Sequence, residues 1–231
     1  MADHPFTLII PAAGSGSRMQ NDIPKPFLMV ADLLIIQHTV KRFTMLSDLI
    51  QVIVSTSKDF TGQAGLVEQM LPDHVGFRVT QGGRERQDSI YNALQLVDPN
   101  TELIAIHDAV RPFVSQETIR NCLKAAREGG AAIAGIPAQD TVKVTDRNNR
   151  IVDTPDRSML WNAQTPQVFQ KKVILQAYEK AHKKHFKGTD DASLVEENGG
   201  TVLMIRGNRE NFKITYPVDL QLAELLLNRD R

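Results

Sequence analysis

Leu8-Ile-Ile-Pro-Ala-Ala-Gly-Ser-Gly-Ser-Arg18 is an apolar run that breaks abruptly into small residues, and Asp22-Ile-Pro-Lys25 follows it. The run has no polar alternation, so it reads as a strand covered on both faces of a sheet. Gly14 and Gly16 let the backbone turn tightly and bring its N–H groups close to a ligand. Successive N–H groups of this kind form an anion nest, and Arg18 and Lys25 add positive charge nearby. The segment Pro11-Ala12-Ala13-Gly14 with Gly16 therefore reads as a polyphosphate cradle. The alternative is an ordinary strand-to-helix turn with surface basic residues. Two better-known phosphate motifs fail by spelling: position 19 is Met where the dinucleotide fingerprint needs glycine, and no Gly-Lys-Ser/Thr follows at Walker A spacing.

Working outward, further short apolar runs occur at Ile50–Val54, Phe77–Thr80, Leu103–Ile106, Ala131–Ile136 and Val202–Ile205. Helical spacing lies between them. Ile90, Ala93, Leu94 and Val97 fall at i, i+3, i+4 and i+7, and Ile119, Cys122, Leu123 and Ala126 repeat the pattern. Val173, Ile174, Ala177 and Tyr178 mark a third helix, Gly129-Gly130 a helix end, and Pro217 a helix start. Strands alternating with helices predict an α/β layered fold around a mostly parallel sheet. Thr141–Thr145 and Arg150–Thr154, joined by Asp146-Arg-Asn-Asn149, break the rhythm and read as a polar β-hairpin standing off the core. A two-stranded hairpin is marginal alone, so a second subunit is its natural support.

Composition narrows the class. The chain has 231 residues, 42% hydrophobic and 23% charged, which excludes disorder and coiled coil. Lys and Arg number 27 against 27 Asp and Glu, so the basic excess of a nucleic-acid binder is missing. Any anion site must be a local cluster. Cys122 is the only cysteine, which removes intrachain disulfides and Cys-rich zinc sites, and its helical position reads as core. No run approaches a membrane span and no leader-like segment opens the sequence, so a soluble cytoplasmic protein is expected, without membrane or nucleic-acid partners.

Two more clusters sit where ligands of α/β sheets bind, beyond strand ends. Ile106-His-Asp-Ala-Val-Arg111 offers Asp108 for a cation or sugar hydroxyl and Arg111 for a phosphate, or the two as a structural ion pair. His107 reads as a positioning residue. Gly82-Gly-Arg-Glu-Arg-Gln-Asp-Ser89 allows close approach to a base, with Ser89 either binding the ligand or capping a helix.

These motifs, with Pro24-Lys25, Asp140-Thr-Val-Lys143, Asp156-Arg-Ser-Met-Leu-Trp-Asn-Ala-Gln-Thr-Pro-Gln-Val-Phe169, Thr189-Asp-Asp191 and Asn211-Phe-Lys-Ile-Thr215, resemble the 2-C-methyl-D-erythritol 4-phosphate cytidylyltransferases of the non-mevalonate isoprenoid pathway. They run from the first strand to the last helix in the family's order. The resemblance implies one Rossmann-like nucleotidyltransferase domain over residues 1–231, with 138–158 as a protruding β-arm through which a homodimer forms. It implies transfer from CTP to methylerythritol phosphate with release of pyrophosphate, and Mg²⁺ carried mainly by the CTP phosphates, with Asp108 as the candidate protein ligand. By motif, Arg18 and Lys25 match the transition-state stabilisers, and Arg157 and Lys213 match the residues that position methylerythritol phosphate. Asp108, Arg111, Thr141, Thr165 and Thr189 match further substrate contacts. Pro11, Ala12, Ala13, Gly14, Gly16, Gly83 and Ser89 match the CTP site.

Departures are few. Pro26 stands where the family usually has Gln, and Ala31-Asp-Leu-Leu34 replaces a segment that often carries Gly and Pro; both bear on loop shape. Val110 and Phe113 are shared with ribitol-phosphate cytidylyltransferases, the closest rival reading. A non-catalytic nucleotide-binding module is the rival from another class, and the joint presence of Arg18, Lys25, Asp108 and Lys213 argues against it.

Overall fold

Alternation along each strand sorts the core into two faces. The structure is a computed structural model that describes residues 4–14 and 23–229. Its strands are β1 (Phe6–Pro11), β2 (Met29–Val30), β3 (Leu33–Leu34), β4 (Leu49–Thr56), β5 (Gly76–Gln81), β6 (Leu103–Ile106), β7 (Ala131–Pro137), β8 (Val144–Thr145), β9 (Ile151–Asp153), β10 (Trp161–Gln170) and β11 (Leu203–Arg206). Its helices are α1 (Ile35–Lys41), α2 (Thr61–Gly65), α3 (Arg86–Leu94), α4 (Gln116–Gly129), α5 (Lys171–Lys184), α6 (Asp191–Glu197) and α7 (Pro217–Arg229). Phe6, Leu8 and Ile10 of β1, Val52 and Val54 of β4, and Leu103 and Ala105 of β6 enter one apolar cluster. Ile9, Ile53, Ile104 and Ile106, the residues between, enter the other. A period of two with both faces apolar is what buries these strands on both sides.

The main sheet has seven strands in the order β11-β7-β10-β6-β1-β4-β5. All neighbours are parallel except β10, which runs antiparallel between β6 and β7. Helix α4 covers the first face through Ile119, Cys122, Leu123 and Ala126. Helices α3, α5 and α6 cover the second. Helix α7 packs through Ala223 with Val30, Ile35, Phe113 and Ile214 in a third, smaller cluster at the edge of the cleft described below. Among the described residues no helix is long and apolar enough to cross a membrane.

Every strand expected from the apolar runs is present. Strand β10 is the one strand of the main sheet that those runs do not reveal, because Gln164, Thr165 and Gln167 are polar yet nearly fully buried. Its pairing with β7 breaks between Ala163 and Gln167, so Pro166 falls where no ladder hydrogen bond is lost. Helix α3 ends at Leu94, one turn earlier than the Ile90–Val97 spacing predicts, although Val97 still packs against the same cluster. Cys122 is a core residue as expected, and burial pushes its thiol up to about 12.

The hairpin forms as read, with β8 and β9 antiparallel around the Asp146–Asn149 turn. Val144, Ile151 and Val152 remain exposed on it.

Helix α4 starts on Ser115, whose side chain accepts the Thr118 N–H, and stops at Gly130, which takes φ of 91° and donates to the Ala126 carbonyl. A side chain at this left-handed position is strained although a Cβ would meet Val173 at an ordinary contact distance of 3.8 Å. Gly130→Ala is therefore expected to cost about 1 kcal/mol, a fall of roughly 2–4 °C in Tm for a chain of this size. Thermal denaturation followed by circular dichroism checks it; an unchanged Tm removes the strained cap.

Candidate active site

The carboxyl ends of three parallel strands are prolonged by further backbone bonds and meet at one mouth. Beyond β1, the Ala12 N–H donates to the Ser55 carbonyl at 2.7 Å. Beyond β5, the Gly82 N–H donates to the Thr56 carbonyl at 2.8 Å, and beyond β6 the His107 N–H donates to the Ile9 carbonyl at 3.0 Å. The loops that leave these ends enclose a cleft of about 490 Å³. Its lining includes Pro11, Ala12, Ala13, Gly14, Lys25, Gly83, Ser89, Asp108 and Lys213, all singled out from the sequence. Arg84, Glu85, Arg86 and Ile214 complete it among others.

The Gly82-Gly83 turn needs both glycines. A Cβ on Gly82 would lie 2.2 Å from the Ala13 Cβ, and one on Gly83 would lie 2.2 Å from the Asp88 Cβ. Backbone is thus brought against the Pro11–Gly14 segment, where it can present its polar groups to a flat ligand. Ser89 corrects one expectation. It does not cap α3, whose N-cap is Glu85; it sits in the first turn, 2% exposed, accepting the Gly83 N–H at 3.0 Å and donating to the Glu85 carbonyl at 3.0 Å. A buried hydroxyl must find partners, and these two pin the glycine turn to the helix.

Lys25 lies in a short 3-10 turn, Lys25–Phe27, seated by Phe27 stacking on Phe60. Only 7% exposed, it donates from Nζ to the Thr215 carbonyl at 2.7 Å. Asp108 is the centre of charge. Lys213 Nζ lies 3.1 Å and Arg111 Nε 3.2 Å from Oδ2, while Arg86 Nε lies 3.4 Å from Oδ1. Burial alone would raise its pKa, but Arg86, Lys213 and Arg111 together hold it well below the usual carboxylate range. Within the lining Lys25, Arg84, Arg86 and Lys213 outnumber Glu85 and Asp108, so the cleft is locally cationic in a chain of zero net charge.

A polar scaffold behind Asp108 aims it. Its backbone N–H donates to Thr165 Oγ1 at 3.0 Å. Asn211, fully buried, donates to the Thr165 carbonyl at 2.8 Å, and its own carbonyl accepts from Arg111 Nη1 at 2.7 Å. His107 donates from Nε2 to the Arg111 carbonyl at 3.0 Å and packs edge-on against Phe43. Burial drives its pKa down to about 4, so at neutral pH it is an uncharged positioning residue, as read from the sequence.

Not every expected residue lines the cleft. Thr165 and Arg111 stand behind Asp108. Thr141 and Arg157 lie exposed on the arm, where Arg157 donates to the Gln139 carbonyl at 2.5 Å, and Thr189 is exposed just ahead of α6. Arg18 and Gly16 fall outside the described residues. Sequence reading assigned no role to Arg86, Asp191 or Asn211. Arg86 and Asp191 join across 105 residues, a pairing that no local pattern reveals. The one available signal was Tyr178, a core-facing tyrosine whose hydroxyl needs a buried partner.

Metal ligation can be judged on Asp108. Its two oxygens already face three cations, and the described residues hold no group of three or more His, Cys, Asp or Glu side chains suited to a metal. The described residues therefore do not fit a cation caged by the protein itself.

Comparison with known proteins bears on this geometry. A family model described as 2-C-methyl-D-erythritol 4-phosphate cytidylyltransferase matches residues 6–229. Proteins of that name from Symbiobacterium thermophilum and Clostridioides difficile are 43% and 40% identical to it. The alignments cover 98% of this chain in both cases, and 94% and 95% of those proteins. Among solved structures, 4-diphosphocytidyl-2C-methyl-D-erythritol synthase from Anaerococcus prevotii superposes with a TM-score of 0.87 at 31% identity, covering 98% of this chain and 97% of its own. The cytidylyltransferase from Thermus thermophilus gives 0.78 at 30% identity, covering 97% and 99%. With the strand-end cleft in place and the match running from the first strand to the last helix, the chain belongs to the 2-C-methyl-D-erythritol 4-phosphate cytidylyltransferase family.

Proposed function

We propose that this chain transfers the cytidylyl group of CTP to 2-C-methyl-D-erythritol 4-phosphate, giving the 4-CDP-alcohol and pyrophosphate. The observation that carries the reading is the cationic cleft at the strand ends, where Lys25 and Lys213 flank a glycine-walled pocket. A phosphate monoester is largely dianionic at neutral pH and is itself the nucleophile, so no general base is required. One of its oxygens forms a bond to the CTP α-phosphorus, the bond from that phosphorus to the β-bridging oxygen breaks, and pyrophosphate leaves with the electron pair. The barrier is anion meeting anion, which positioning and fixed positive charge lower. In this reading Lys25 and Arg18 neutralise the α-phosphate and the leaving group. Lys213 and Arg157 grip the acceptor phosphate, and Pro11 to Gly14, Gly16, Gly83 and Ser89 form the nucleotide site. Asp108, Arg111, Thr141, Thr165 and Thr189 serve the acceptor, some of them through the scaffold behind Asp108. A divalent cation, Mg²⁺ in this proposal, arrives as part of the nucleotide substrate.

The same reading makes the protein a homodimer of single-domain subunits built through the arm of residues 138–158. Val142, Val144, Ile151 and Val152 are exposed on that arm, and Thr141 and Arg157 at its base are not part of their own cleft's lining. Packing on a second subunit would cover the apolar residues and carry Thr141 and Arg157 to the partner's pocket, an isologous exchange.

Pyrophosphate release measured with CTP and each polyol phosphate tests the activity. Methylerythritol phosphate should exceed ribitol 5-phosphate by about 100-fold or more in kcat/KM, because buried polar groups left unpaired are costly. Equal rates would place the chain with the ribitol enzymes, and no release with any acceptor would leave only a binding module.

Lys25→Ala should lower kcat by about 10²–10³ with little change in KM for CTP, as expected of a contact that strengthens in the transition state. Steady-state kinetics check this; a raised KM at unchanged kcat would assign Lys25 to ground-state binding alone.

The shared site is tested by complementation. Arg157→Ala and Lys25→Ala homodimers should each be nearly inactive. Mixed and re-annealed, each heterodimer holds one site with both defects and one with neither, so activity should recover toward half of wild type per heterodimer. Heterodimers that form and stay inactive would place Arg157 in its own subunit's site.

A further inference from the structure

An unbroken line of polar contacts runs from the core beneath α5 to the cleft. Tyr178, 2% exposed, donates from its hydroxyl to Asp191 Oδ1 at 2.5 Å. Asp191, 1% exposed, accepts from Arg86 Nη2 on Oδ2 at 2.8 Å. Arg86 turns its Nε edge to Asp108 Oδ1 at 3.4 Å, and Asp108 Oδ2 in turn meets Lys213 at 3.1 Å. The position of Asp191 is itself fixed from β10. The Gln167 side-chain carbonyl accepts the Asp191 and Ala192 N–H groups at 3.1 and 3.0 Å.

From this arrangement we infer that Asp191 is a positioning residue for the transfer reaction, acting through Arg86 to leave the Asp108 carboxylate shared with Lys213. The inference rests on the proposed function for its kinetic meaning. Its geometry does not.

The physics is a competition for one guanidinium. Arg86 sits between two buried carboxylates, and a planar fork can serve both at once where an ammonium cannot. The contact to Asp191 is a short hydrogen-bonded ion pair, whereas the contact to Asp108 is longer. Asp191 therefore holds Arg86 back. Without that charge, Arg86 has Asp108 as its only carboxylate partner among the described residues and closes on it. The Asp108 carboxylate is then drawn toward Arg86 and away from Lys213, a residue assigned to the acceptor phosphate. Asp191 is not itself part of the cleft lining, and its contact with that lining is Arg86, through which its effect passes.

Asp191→Asn preserves volume and removes the charge. It should lower kcat/KM for methylerythritol phosphate by about 10- to 100-fold, the usual cost of losing a group that orients a site residue. Most of the loss should appear in KM for that acceptor, with KM for CTP little changed. Tyr178→Phe keeps the Asp191–Arg86 pair and is the stability control. It should lower Tm yet retain acceptor KM. If Asp191 served folding alone, both variants would lower Tm and neither would move KM, and the inference would fail.

A double-mutant cycle separates action through Arg86 from independent action. Asp191→Asn should add no further kinetic loss in an Arg86→Met background; losses that multiply would overturn the proposal. Arg86→Lys keeps the charge but cannot span both carboxylates. It should give the same rise in acceptor KM and stands in if Asp191→Asn does not fold; an unchanged KM in Arg86→Lys counts against the inference.

A crystal structure of Asp191→Asn reads the geometry without any substrate. Arg86 Nε should approach Asp108 and Lys213 Nζ should leave it. Unchanged distances would overturn the inference even if the enzyme proved to use another acceptor, and wild-type inactivity toward methylerythritol phosphate would count against the proposed function alone.

Discussion

A carboxylate buried to 7% exposure cannot stand without compensating charge, and Asp108 obtains it from three different parts of the chain. Arg86 comes from the start of α3, Arg111 from the loop after β6, and Lys213 from the segment between β11 and α7. Removing one partner from such a cluster leaves charge buried and unpaired, which is far worse than never having built it. The loops around the cleft are thereby held in register with one another. The sheet sets the strand ends side by side, and this one group decides how the loops beyond them are arranged.

The polar cost of that arrangement is met by β10. Placed antiparallel between β6 and β7, it brings Gln164, Thr165 and Gln167 into the interior, each with partners on other segments. Gln164 donates to the Asn208 carbonyl at 3.1 Å, Thr165 receives the Asp108 N–H at 3.0 Å, and Gln167 donates to Asp190 at 2.8 Å. A strand of apolar residues would pack as well but would aim nothing. Buried networks of this kind rigidify a site when every member is satisfied.

What the sequence displays and what it hides divide along the same line. Runs such as Leu103–Ile106 declare themselves because burial on both faces demands apolar side chains at every position. Helix α4 is visible because its buried residues recur at the helical period and its end carries Gly130. The cleft was legible in part, since glycines and basic residues after strand ends have few other uses. Strand β10 was not, because its inward side chains are polar and earn their burial from residues far away in sequence. Arg86 and Asp191 were hidden for the same reason: each looks like an ordinary surface charge until the fold places them 2.8 Å apart. Ser89 misled in a smaller way, since a serine near a helix start suits a cap as well as the turn anchor it is.

The bond from Lys25 Nζ to the Thr215 carbonyl joins residues 190 apart, nearly the two ends of the chain. Asp219, in the first turn of α7, accepts the Thr215 and Tyr216 N–H groups at 2.8 Å and so fixes the carbonyl that receives the lysine. Such a contact has one of the longest loops in the molecule to close, and it cannot form until almost the whole polypeptide has been made. Strands β1, β4, β5 and β6 are all encoded within the first 106 residues and can assemble while the ribosome is still at work. A nascent chain that ends between residues 206 and 215 contains all seven strands of the main sheet and the glycine turns but not this seat for Lys25. Order of synthesis thus separates acquiring the fold from acquiring the site.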